Sequence, residues 1–150
     1  MMDLTTASWA LAPELILALG AMALLMVGVF RPENDRNAEL IGWLAVGVLA
    51  AAGWMLLRQP AATQFVCDAG AKACAATNAV LIVDPFARFM KLLALVGAAG
   101  ALILSFDDMR EGRYLKFEYP VLVLLATCGM LVMISANDLI ALYLGLELQS

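Results

Sequence analysis

Long apolar runs with almost no charge are the feature that most limits how this sequence can fold. Apolar residues make up 64% of the 150 residues and charged residues 15%, and the mean hydropathy is +0.90. Soluble chains are nearer 45–50% apolar and about 25% charged. Apolar runs of about 20 residues can cross a bilayer as helices, which satisfy their own backbone hydrogen bonds in lipid. The sequence therefore predicts an all-α, polytopic membrane helix bundle.

Short polar stretches divide the chain into five apolar segments. The predicted spans cover residues of about 12–30, 40–57, 80–104, 117–134 and 138–150. The runs are continuous, whereas barrel strands alternate over about ten residues. The fifth run, at about twelve residues after Asp138, falls short of the roughly 20 needed to span. We therefore expect residues 1–150 to be the N-terminal part of one transmembrane domain of a longer protein.

The distribution of lysine and arginine predicts an orientation. With the N-terminus outside, the inner connections hold most of the loop cations, and the outer loop holds only Arg58 and Lys72. The inner cations are Arg31, Arg36, Arg110, Arg113 and Lys116. This asymmetry favours an outer N-terminus. The net charge of −4 comes without a basic cluster, so nothing points to nucleic acid.

The residue inventory excludes several cofactor sites. The chain has no histidine and only three cysteines, which excludes histidine-ligated haem, a histidine-based metal site and a four-cysteine iron–sulfur cluster. Cys67 and Cys74 share one polar loop. They are either free thiols or, in an oxidising compartment, a disulfide. Cys128 lies within a span and is expected to be a small core residue.

The charged residues at the span ends have simple interpretations. Glu14 suits the positive end of a helix dipole and is assigned no functional role. Asp84, before Pro85, is placed to cap the third span and to pair with Arg88 four residues on. Arg88 and Lys91 are expected to extend to the lipid head groups rather than form a buried ion site.

Glu147 is the strongest candidate for a functional residue. A rise of about 1.5 Å per residue puts it roughly 13–14 Å beyond Asp138, near the middle of a hydrocarbon core about 30 Å thick. An ionisable side chain at that depth is costly and marks a functional site by default. Because low dielectric disfavours the charged carboxylate, such a group can take and release a proton as its surroundings change.

The helical neighbours of Glu147 divide into two faces. Tyr143 and Ser150 share its face, and Gly145 and Gln149 share another. The first could hold a hydrogen-bonded path, and the second could let a neighbouring helix approach closely. The alternative reading is that Glu147 is protonated and only links helices by hydrogen bonding.

Four stretches of the sequence carry a resemblance to a known family. They are "PELILALGAMALLMVGVF", "DPFARFMKLL", "FEYPVLVLLATCGMLVMISANDL" and "SANDLIALYLGLELQS". Together they resemble subunit N of the proton-pumping NADH:quinone oxidoreductase, respiratory complex I. The sister subunits L and M have a tryptophan or phenylalanine just before their glutamate, whereas this chain reads Gly-Leu-Glu-Leu-Gln-Ser.

The resemblance implies an antiporter-like fold and a role in the membrane arm of that complex, coupling electron transfer from NADH to quinone to proton translocation. It implies that Glu147 matches the fifth-helix glutamate, which pairs with a lysine two helices later and switches protonation. It also implies that NADH, FMN, iron–sulfur clusters and quinone are bound by other subunits, and that the partners are membrane and peripheral subunits in a bacterial plasma (inner) membrane. The alternatives are a cation/proton antiporter subunit and a purely structural membrane scaffold.

Overall fold

The computed structural model of the chain describes residues 11–30, 35–59, 64–67, 79–112 and 118–150. Its elements are α1 (Ala12–Phe30), α2 (Asp35–Arg58), β1 (Gln64–Cys67), β2 (Ala79–Val83), α3 (Pro85–Gly112), α4 (Glu118–Ser135) and α5 (Leu139–Gln149). The predicted helical class is confirmed. In the described ranges, α1 to α4 each contain a segment long and apolar enough to cross a membrane, and α5 is a shorter apolar helix. This pattern fits a multi-pass membrane protein.

The third span begins later than the sequence predicted. Residues Ala79–Val83 form β2, which pairs antiparallel with β1 from Gln64↔Val83 to Cys67↔Ala79. The run Ala-Val-Leu-Ile-Val is rich in β-branched residues, and Asp84 precedes a proline, which disfavours helical geometry at that residue. The predicted limit at residue 80 is therefore wrong, whereas the helix start indicated by Asp84 and Pro85 is confirmed. Helix α3 starts at Pro85 and continues to Gly112.

Strand β2 also fixes the predicted break between the last two helices. Leu81 forms an isolated antiparallel bridge with Ala136, and the Asn137 N–H donates to the Val80 carbonyl over 3.0 Å. Asp138 occupies the N-cap position of α5 in extended geometry, but its side chain makes no capping hydrogen bond. Pairing with β2, rather than a capping side chain, therefore holds this connection.

The four long helices pack around one core, and α5 lies outside it. Helix α1 packs against α2 and α4, α3 packs against the same two helices, and α5 packs against α4. Leucines from each long helix meet in the core: Leu17, Leu49, Leu102 and Leu124. Large apolar side chains such as Leu19, Leu93 and Leu122 face outward, as expected of helices solvated by lipid.

Candidate functional site

Glu147 lies on the side of α5 that points away from the bundle. The buried residues of this helix are Ala141 and Gly145, which are four residues apart and form one face. Glu147 is two residues beyond Gly145 and therefore about 200° around the helix from it, and its side chain is exposed on this chain. Among the described residues, no basic side chain forms an ion pair with it.

The predicted polar face around Glu147 is present. A side-chain hydrogen bond joins Tyr143 to Glu147, in which the phenol donates to the carboxylate. At the other end, the Ser150 hydroxyl donates to the Glu147 backbone carbonyl over 3.3 Å. The i−4 and i+3 neighbours named from the sequence both contact Glu147, and they leave the carboxylate facing outward.

Glycines let α4 and α5 approach almost backbone to backbone. A Cβ on Gly129 would lie 2.7 Å from both the Gln149 nitrogen and the Gly145 oxygen. A Cβ on Gly145 would lie 3.0 Å from the Met133 nitrogen and 3.1 Å from the Gly129 oxygen. The prediction that Gly145 permits close helix approach is therefore confirmed, and the contact holds the helix that carries Glu147.

A buried ion pair lies inside the bundle, where the sequence analysis predicted none. Lys91 of α3 is fully buried, and its Nζ forms a salt bridge with Oε1 of Glu14 on α1, which is 5% exposed. Helices α1 and α3 sit at opposite corners of the four-helix arrangement, each packed on α2 and α4. The two long side chains therefore join helices that are not close neighbours.

Two earlier expectations about these residues are wrong. Lys91 does not extend to the head groups, and Glu14 does more than suit the dipole of α1. Side chains on a helix point toward its N-terminus, so the lysine, six residues after Pro85, reaches back toward the level of Glu14. A signal did exist in the sequence: odd-numbered spans run in the same direction, which puts the start of α1 and the start of α3 at the same end, with opposite charges.

Helix α4 completes the surroundings of this pair. The Cys128 thiol lies 3.6 Å from the backbone carbonyl of Glu14, to which it donates. Cys128 is buried, as predicted. Oε2 of Glu14 has no hydrogen-bond partner among the described residues. The carboxylate is therefore held through one oxygen, by Lys91.

The side chains of Asp84 and Arg88 do not form the expected pair. Arg88 donates from Nη2 to the Leu57 carbonyl at the end of α2 over 2.6 Å, and no salt bridge to Asp84 is present among the described residues. The contact with Asp84 is a backbone one, from the Arg88 N–H to the Asp84 carbonyl over 2.8 Å. Cys74 lies outside the described residues, so the prediction that it forms a disulfide with Cys67 or stays a free thiol remains a prediction.

The helices and the ionisable groups within them fit one class of protein: a multi-pass membrane protein with carboxylates in its apolar helices. The chain is 48% identical over 141 residues to NADH-quinone oxidoreductase subunit N of Azorhizobium caulinodans, covering 94% of this chain and 27% of that protein. It is 48% identical over 139 residues to subunit N 1 of Rhizobium meliloti, covering 92% and 26%. It is 46% identical over 138 residues to subunit N of Parvibaculum lavamentivorans, again covering 92% and 26%.

These relatives confirm the resemblance stated from the sequence. The chain is similar, over nearly all of its own length, to proteins named subunit N of NADH-quinone oxidoreductase. It spans about a quarter of the length of those curated relatives. No protein-family model matches the chain.

Proposed function

We propose that this chain is part of a membrane-arm subunit of a proton-translocating NADH:quinone oxidoreductase. The observation that carries the proposal is its similarity, at 46–48% identity, to three subunits of that name over 92–94% of its length. Electron transfer from NADH to quinone takes place on other subunits, which bind NADH, FMN, iron–sulfur clusters and quinone. The partners are the other membrane and peripheral subunits of the complex, and the surrounding bilayer is a bacterial plasma membrane.

Within this function, Glu147 is proposed as a proton relay. Three features support the role: its position in an apolar helix, the hydrogen bond from Tyr143, and the absence of a basic partner among the described residues. An unpaired carboxylate facing a low-dielectric environment is unstable. It therefore either holds a proton or pairs with a cation brought to its outward face.

The relay follows from switching between those two states. When a cation approaches Glu147, the charged form is favoured and the proton leaves. When the cation withdraws, desolvation favours uptake of a proton. The Tyr143 hydroxyl can donate a hydrogen bond to the charged carboxylate, which orients the acceptor.

The test is Glu147→Gln in the full-length subunit, assembled in its complex. Glutamine keeps the size and the hydrogen bonding but cannot carry the proton. We expect proton uptake by inverted vesicles per NADH oxidised to fall by the share that passes through this subunit, while electron transfer to quinone persists. The measurement is the quench of a pH-sensitive dye alongside NADH absorbance.

A matched control uses an exposed carboxylate at the start of α4, away from Glu147. Glu118 lies in the first turn of α4 and is exposed, so Glu118→Gln removes one negative charge without touching α5. Its proton-to-electron ratio should equal that of the wild type. A normal ratio for Glu147→Gln would rule out the relay.

The rival functions make different predictions. A cation/proton antiporter subunit would share the glutamate but would co-purify without flavin and iron–sulfur proteins. A purely structural scaffold would lose assembly, not coupling, when Glu147 is replaced. Isolating the tagged full-length subunit and recording the flavin and iron–sulfur spectra of the preparation separates the first rival from the oxidoreductase.

A structural role is proposed for the Glu14–Lys91 pair. It lies between helices that pack poorly on each other directly, and both charges are buried. Such a pair is costly to break once formed, because removing one partner leaves a buried charge. The pair therefore favours one arrangement of α1 relative to α3 over its alternatives.

A further inference from the structure

A groove runs between the end of α2 and the start of α3, apart from the site of Glu147. Its volume is about 260 Å³, and it is lined by Leu56, Leu57, Pro85, Arg88, Phe89 and Leu92. Five of these six residues are apolar. The membrane-crossing segment of α2 ends here at Arg58, and that of α3 begins here at Pro85. The groove therefore lies at the boundary between the hydrocarbon core and the head groups.

Two guanidinium groups lie at the same end of these helices. Arg88 lines the groove and uses one N–H to bond the Leu57 carbonyl over 2.6 Å. A guanidinium has five donors in a fixed fork, so most of its donors are left for another acceptor. Arg58, the residue after Leu57, is held with its guanidinium carbon 5.1 Å from the centroid of the Trp54 ring.

Exposed aromatic side chains lie near the end of α2 and the start of α3, and one of them, Phe89, lines the groove. Trp54 is 61% exposed, Phe86 71% and Phe89 62%. Aromatic residues concentrate at membrane interfaces, where an apolar ring lies at the level of the head groups. An acid lies beside the groove: Asp84, partly exposed, directly precedes Pro85.

We propose that this groove binds one anionic membrane phospholipid. Its phosphate lies against the guanidinium group of Arg88, and an acyl chain lies along Leu57, Phe89 and Leu92. Arg58, the last residue of α2, adds a second positive charge at the same end of the helices. Arginine is well suited to phosphate because its fork donates two parallel hydrogen bonds. The apolar lining and the interfacial depth favour a lipid over free phosphate, and the two cations favour an anionic head group over a zwitterionic one.

The test is native mass spectrometry of the full-length subunit in its complex, titrated in detergent with phosphatidylglycerol or phosphatidylcholine. We expect tight, saturable binding of phosphatidylglycerol that Arg88→Gln weakens about fivefold, the loss typical of one interfacial cation. Asp84→Asn removes the acid beside the groove, so it should strengthen binding instead. Glycerol phosphate, which has the anion but no acyl chain, should not compete.

The matched control is Arg110→Gln, which removes a cation from the last turn of α3, at the opposite end of that helix. It should leave phosphatidylglycerol binding unchanged. The proposal is overturned by equal binding of both lipids, by wild-type affinity in Arg88→Gln, or by competition from glycerol phosphate. It is also overturned if Arg88→Gln releases a neighbouring protein subunit while lipid binding stays the same, because a protein would then occupy the groove.

Discussion

The two carboxylates in the apolar helices, Glu14 and Glu147, are in opposite situations. Glu14 is buried against Lys91 and Cys128, and its charge is balanced within the four-helix core. Glu147 is exposed on a helix outside the core, and its carboxylate is hydrogen-bonded to the Tyr143 side chain. Among the described residues it has no basic partner. The two glutamates can therefore play different roles. Glu14 can hold helices together, and Glu147 can respond to a cation that approaches its exposed side.

The difference lies in how many elements surround each side chain. Lys91 and Glu14 point into a space enclosed by α1, α3 and α4, so neither charge can change partners without moving a helix. Glu147 is attached to one neighbour, through the glycine contact between α4 and α5. A group that must switch partners needs one open side, and in the described part of the chain only Glu147 of these two has it.

The largest expected effect comes from removing the partner of the buried Glu14 carboxylate. Lys91→Met leaves Glu14 buried without a cation, which costs about 3–5 kcal/mol. We expect the full-length subunit to unfold at a much lower temperature. Labelling of Cys128 by a thiol dye, with the other cysteines replaced by serine, reports this because Cys128 is buried in the folded chain.

The matched double variant separates charge from packing. Glu14→Gln combined with Lys91→Met removes both charges and should recover most of the lost stability, because replacing a whole buried pair is often near neutral. If the double variant is as unstable as Lys91→Met alone, the pair does not act through its charges.

The next largest effect concerns the attachment of α5. Gly129→Ala puts a methyl group 2.7 Å from backbone atoms of Gln149 and Gly145, which cannot rotate away. Overpacking of this kind costs about 1–3 kcal/mol. Proton pumping should fall along with thermal stability, because α5 and Glu147 move together.

A glycine elsewhere in the helices supplies the control for that variant. Gly97 has nothing within 4 Å of its added Cβ, so Gly97→Ala should keep or raise stability through its better helix propensity, by about 0.8–1.0 kcal/mol. Equal thermal unfolding of Gly129→Ala and Gly97→Ala would show that the close approach of α4 and α5 carries no stability.

The smallest expected effect sharpens the description of Glu147 itself. Tyr143→Phe removes the hydrogen bond to the carboxylate but keeps the ring. Because the carboxylate itself remains, the proton-to-electron ratio should fall by less than in Glu147→Gln, with assembly unchanged. A ratio equal to the wild type would show that Tyr143 plays no part in positioning the acceptor.

Much of the architecture could be predicted from residue order alone. The apolar runs located α1 and α4 to within a residue or two, and Pro13, Pro85 and Pro120 lie in opening turns as predicted. The spacing of Tyr143, Gly145 and Ser150 around Glu147 predicted which contacts α5 makes. These features are local, because helix periodicity and proline geometry act over a few residues.

What residue order left undecided depends on contacts between distant segments. The Glu14–Lys91 pair joins residues 77 positions apart, and the bridge from β2 to Ala136 joins segments more than fifty residues apart along the chain. A lysine in the second turn of a span satisfies the same local pattern whether it extends to head groups or is buried. The packing of α1, α3 and α4 around Lys91 prevents its side chain from reaching the head groups. Once it is buried, Glu14 is its counter-charge.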